Sequence, residues 1–139
     1  MSKNTFTRGA LWSAALFFAV AGLLFTPART VNAAGSPIVI GATSSQTGAF
    51  AVDADYNLHG MQLAIAEANK HGGWLGRNVE LKIYDDQSKP DTAVRLYTRL
   101  ITSDKVSLLV GPYSSGITNA VAPLINKYHF AVVDRKSVV

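Results

Sequence analysis

Along residues 37–133 the apolar positions switch repeatedly between short continuous runs and a three- and four-residue spacing. The run "SPIVIGA" is rich in β-branched residues and closed by Gly41, which predicts strand one. "TSSQTGAFAVDADYN" is small, polar and glycine-bearing and predicts a loop. Leu58, Met61, Ile65 and Ala68 then share one face of a helix that stops at Gly72 and Gly73. "VELKIY" alternates as strand two, and in "DDQSKP" Pro90 suits the first turn of a second helix, with Val94, Tyr97 and Ile101 on its apolar stripe. "VSLLVG" reads as a strand covered on both faces. Ile117, Val121, Leu124 and Tyr128 mark helix three, and "FAVV" is strand four.

Strict alternation of strand and helix predicts an α/β fold, a doubly wound parallel sheet with helices on both faces. In the common order 2-1-3-4, strands one and three are neighbours whose connections leave in opposite directions, so a crevice opens beyond their C-terminal ends. The two loops there are "TSSQTGAF" and "GPYSSG", the most hydroxyl- and glycine-rich of the chain. Helix three should start near Ser115 or Gly116, with free N–H groups and the positive end of its dipole facing the crevice. A small carboxylate fits such a place, held by N–H groups and by a hydroxyl of Ser114 or Ser115, with no arginine needed. Thr47 and Gly48 of the first loop and Gly116 of the second are further candidates, the glycines because backbone lacking a Cβ lets a ligand come close. The bland alternative is that Ser114 or Ser115 only caps the helix.

Other chemistries fail on spacing. "GATSSQTG" is not G-x-G-x-x-G, and no phosphate-loop motif occurs, so no nucleotide cofactor is expected. Asp85-Asp86 ends the outer strand, off the crevice, and reads as a loop and helix-start device rather than a metal site. His59, His71 and His129 have no companion at ligand spacing and are expected at the surface. Ser114 and Ser115 lack a G-x-S-x-G elbow, and no base or metal set converges on them, so no enzyme is expected. Trp74, Tyr97 and Tyr128 read as packing residues.

The ends of the chain change the charge argument. Lys3 and Arg8 precede an uncharged apolar run, Gly9 to Phe25, and "TPARTVNAA" follows. This predicts a signal peptide over residues 1–33, cut after Ala33 or Ala34, and hence a periplasmic protein. An uncleaved anchor is the alternative, although the run is short for a span of about 20 residues. No cysteine is present to carry a lipid or form a disulfide. At the other end "DRKSVV" matches one reading frame of a common sequencing adapter, so residues 134–139 are expected to be an adapter-derived tail after which the natural chain continues. The whole chain carries +4, but residues 35–133 hold eight basic and eight acidic side chains. The basic balance is therefore no argument for nucleic acid or a membrane surface.

With these residues in view, the chain resembles an exported substrate-binding protein of the branched-chain amino acid (leucine/isoleucine/valine-binding) type, serving an ABC importer. The resemblance rests on "IVIGATSSQTGAFA", "GMQLAIAEANKHGGWLGRNVELKIYDDQSKPDTAV", "VSLLVGPYSSGITNAVAPLINK" and "FAVV", in family order. It implies a type I periplasmic-binding-protein lobe, here an incomplete first lobe over residues 35–133, in a two-lobed protein that closes on its ligand and delivers it to an inner-membrane permease. The ligand would be an amino acid or a similar small carboxylate or amide. By matched position, Ser115 would bond the ligand α-carboxylate, Tyr113 and Ser114 would line the same edge, and Phe50 would lie against the ligand side chain. A ligand-sensing domain of a signalling receptor is the alternative implied by the same lobe.

Overall fold

The computed structural model describes residues 35–134. The expected signal segment and all but the first residue of the expected adapter-derived tail lie outside the described residues. The elements are β1 (Ile38–Ser44), α1 (Ala51–Lys70), β2 (Val79–Asp85), α2 (Pro90–Thr102), β3 (Leu108–Val110), α3 (Ser115–Tyr128) and β4 (Val132–Val133). The strands form one parallel sheet in the order β2-β1-β3-β4, as the alternation predicts.

Local chemistry sets each boundary. Asp53 in the first turn of α1 and Lys70 in its last turn complement the helix dipole. The Gly73 N–H then turns back to the Ala68 carbonyl at 2.9 Å and ends the helix. The Asn69 side chain fastens this helix end to the start of β2, accepting from Val79 N–H at 2.8 Å and donating to its carbonyl at 2.9 Å. Pro90 occupies the first turn of α2, where its missing N–H costs nothing. β3 is shorter than its apolar run, because Val106 turns away from the ladder into the core, where it is 4% exposed.

The core lies between the sheet and the α2–α3 pair. Ala93, Tyr97 and Leu100 of α2 meet Val106, Leu109, Ile117 and Val121. Each fully buried Leu, Ile or Val here contributes about 1.5–3 kcal/mol, and together they fix the start of α3 against the end of β3. Tyr97 is wholly buried, and its hydroxyl donates to the Val110 carbonyl. Burial pushes its phenol far above the ordinary tyrosine range, so it stays a neutral donor at the last residue of β3.

The opposite face is less covered. There α1 lies along β1 and β2, and Leu58 lines an open cleft together with Leu81 and Ile83. Leu108 and Val133, on that same face, stay 36% and 68% exposed. Of the aromatic residues expected to pack, Tyr97 does. Trp74 and Tyr128 do not, at 42% and 37% exposed: Trp74 sits in the tight turn that pairs with Arg77, and Lys127 lies over the Tyr128 ring. His59, His71 and His129 are exposed, the first two beside Asp55 and Glu67 one helical turn away.

Candidate functional site

The β1–α1 loop and the β3–α3 loop both leave the C-terminal ends of adjacent strands. The Phe50 ring of the first lies 6.1 Å from the Tyr113 ring of the second, centroid to centroid and tilted by 46°. The two loops therefore meet, as the strand order requires. α3 begins at Ser115, with Ser114 as the preceding extended residue. The Ser114 carbonyl accepts the Thr118 N–H at 2.9 Å, but its side chain makes no capping bond. The capping alternative for Ser114 is thus absent here, and Ser115 is already the first helical residue. Among the described residues neither hydroxyl is engaged by the protein. Gly116 is exposed, and a Cβ placed on it would touch nothing closer than Ser114 Oγ at 3.6 Å.

The β1–α1 loop is arranged differently. Asp85 Oδ2 accepts the Thr47 hydroxyl at 2.7 Å, while Oδ1 accepts the N–H groups of Gln46 (3.0 Å), Thr47 (3.2 Å) and Gln87 (2.8 Å). Asp86 is fully buried and accepts the hydroxyls of Thr43 (2.7 Å) and Ser45 (2.6 Å) and the Ser88 N–H (3.0 Å). Ser88 Oγ donates to the Thr47 carbonyl at 2.9 Å and accepts the Phe50 N–H at 3.0 Å. Burial opposes the charge on Asp85, but the Thr47 hydroxyl and the three N–H groups outweigh it and hold the carboxyl below the usual carboxylate range.

This changes the reading of three positions. Thr47 already donates both its hydroxyl and its N–H to Asp85, so neither donor is left for a ligand carboxylate. Gly48 adopts φ +89°, and an added Cβ would lie 2.7 Å from both the Gln87 carbonyl oxygen and Ser88 Oγ. Its bare backbone admits the β2–α2 loop, where approach of a ligand was the expectation. The Asp85-Asp86 pair sits on the outer strand as expected, yet it reaches back to the crevice loop. It does not cap α2, whose N-cap is Lys89. The signal for that was present: Thr43, Ser45 and Thr47 are donors needing acceptors, and two carboxylates end the neighbouring parallel strand.

A family profile described as periplasmic binding protein matches residues 37–137. The chain is 34% identical over 106 residues to a Leu/Ile/Val-binding protein, BraC3, of Rhizobium johnstonii, covering 76% of this chain and 27% of that protein. It is 32% identical over 118 residues to an amino acid binding protein of Pseudomonas aeruginosa, covering 85% of this chain and 29% of the other. Among solved structures, the branched-chain amino acid transporter substrate binding protein LivJ of Streptococcus pneumoniae, in complex with isoleucine, superposes with a TM-score of 0.68 at 33% identity. That match covers 70% of this chain and 28% of LivJ. The chain thus spans under a third of the length of these relatives.

Proposed function

The chain belongs to the periplasmic binding protein family, and from that premise we propose that it supplies the first-lobe part of a solute receptor for an ABC importer. The full-length protein, with a second lobe, closes on an amino acid or a similar small carboxylate or amide in the periplasm and hands it to an inner-membrane permease. The observation that carries this reading is the β3–α3 loop. Among the described residues the hydroxyls of Ser114 and Ser115 are unengaged at the amino end of a 14-residue helix, beside the Phe50–Tyr113 contact. Helix N–H groups and a hydroxyl there suit an α-carboxylate, and the side chain of the ligand would lie toward the two rings. An isoleucine complex of a relative with 33% identity supports amino acids as the class.

The test is calorimetric titration of the full-length protein with a panel of amino acids and small carboxylates. At least one should bind, and Ser115→Ala should weaken that ligand by about 1–3 kcal/mol, the usual loss for a hydrogen bond to a charged group. Stability should not change, since the Ser115 hydroxyl bonds nothing among the described residues. Unchanged affinity would remove Ser115 from the carboxylate site.

A further inference from the structure

We infer that Asp85 is a positioning residue for ligand binding: from the outer strand it holds residues 46–50 in the shape that brings Phe50 to Tyr113. The inference rests on the proposed function and adds to it a residue that touches no ligand. The loop makes few bonds of its own, Gln46 N–H to the Ser44 carbonyl at 2.8 Å and Ala51 N–H to the Gly48 carbonyl at 3.3 Å. Its remaining hydrogen-bonding anchors come from the end of β2 and the β2–α2 loop. Asp85 takes three of them, from Gln46 and Thr47, and a fourth bond ties the same carboxylate to Gln87, so the two loops share one acceptor. Ser88 adds the Thr47 carbonyl and the Phe50 N–H.

Asp85 and Asp86 divide the work. Asp86 is wholly buried and serves the ends of the strands, whereas Asp85 is partly exposed and serves a loop that is exposed from Gln46 to Ala49. Water can replace the bonds of an exposed carboxylate, so losing Asp85 leaves the fold standing and lets the loop sample other shapes. Reordering those residues then opposes ligand binding.

The experiment is a double-mutant cycle in the full-length protein. Asp85→Ala should weaken the ligand by ~10-fold or more while the protein stays folded. Asp85→Asn, whose Oδ1 still accepts the three N–H groups and whose Nδ2 can donate to Thr47 Oγ1, should stay within ~3-fold of the unaltered protein. Asp85→Ala and Phe50→Ala should be non-additive, because the first already misplaces Phe50; the double variant should fall within ~3-fold of the weaker single one. Unchanged affinity in either single variant, a full multiplication of the two losses, or failure of Asp85→Asn to restore binding would overturn the inference. Should Asp85→Ala not fold, Thr47→Val removes the shortest of the four bonds and enters the same cycle with the same criteria. If the unaltered protein takes none of the panel, the proposed function fails separately. Amide hydrogen exchange then decides the positioning role: Asp85→Ala should speed exchange at Gln46 and Thr47 by ~10-fold or more with β1 still protected, and unchanged exchange would overturn it.

Discussion

The β1–α1 and β3–α3 loops reach the same crevice and have similar compositions, yet they use their hydroxyls in opposite ways. Thr43, Ser45 and Thr47 all donate to carboxylates at the end of β2. Ser114 and Ser115 donate to nothing among the described residues. The difference follows from the neighbours. β1 pairs with β2 through Ser44 and Asp85, so its loop emerges beside two acceptors. β3 is flanked by β1 and the two-residue β4. The carboxylate of Asp134, just after β4, lies against Gly111 at the start of the loop, but the two serines follow further on, where the chain passes into a helix whose own terminus lacks acceptors. A run of serines and threonines therefore says nothing by itself about ligands; what decides is whether the fold turns each hydroxyl onto an acceptor.

The sharpest way to break this contrast is to remove the buried acceptor. Asp86→Ala would leave two hydroxyls and the Ser88 N–H without their acceptor in a site closed to solvent. Each unsatisfied donor costs about 1–3 kcal/mol, so with three of them urea unfolding of the full-length protein should show a loss of roughly 3–9 kcal/mol. A loss under about 1 kcal/mol would mean that water reaches the site and that the first loop is not committed as described. Gly48→Ala comes next. It asks an L-residue to hold φ +89° and pushes a methyl onto the Gln87 carbonyl, so the expected loss is about 2 kcal/mol, again read by urea unfolding.

Acid gives a smaller effect of defined sign. Asp85 lies below the ordinary carboxylate range, and so does Asp104, where the hydrogen bond from Lys82 leads and Tyr84 adds to it. A folded pKa below the unfolded one means that the stabilisation is complete above the unfolded carboxylate range and is lost as pH falls through the folded value. Stability should be level from neutral pH down to about 5 and decline below about 4. Asp85→Asn should flatten part of that acid limb in urea unfolding at stepped pH. An unaltered limb would show that Asp85 gains nothing from its four donors.

Strand order, the starts of α2 and α3 and the meeting of the two loops were legible in the sequence because they follow from apolar periodicity and from Gly and Pro placement. Pro90, Gly72–Gly73 and the 2-1-3-4 order are examples. The start of α1 was not legible, since the helix begins at Ala51, inside the polar stretch up to Asn57 that reads as a loop, where its first turns carry few apolar residues to mark a face. The roles of Thr47, Gly48 and Asp85 were not legible. They depend on contacts between residues about 40 positions apart, across a strand pair whose register is set only in the folded sheet. Trp74 departs from expectation for a related reason: an aromatic side chain suggests burial, but among the described residues no element lies over the tight turn between α1 and β2 to bury one.

The mildest prediction separates the two loops by their glycines. Gly116 lies in the first turn of α3, outside the left-handed region, and an added Cβ meets only Ser114 Oγ at an ordinary contact distance of 3.6 Å. Gly116→Ala should therefore keep or slightly raise stability, by up to about 0.5 kcal/mol, since alanine restricts the unfolded chain and favours helix. Gly48→Ala moves the same quantity the other way. If the bare backbone at Gly116 serves the approach of a carboxylate, its alanine variant should also bind more weakly despite being no less stable, a separation that titration and urea unfolding of one sample can read. A Gly116→Ala protein that is clearly destabilised would place a contact over the start of α3 and undo the distinction between a loop closed on its own protein and a loop left open.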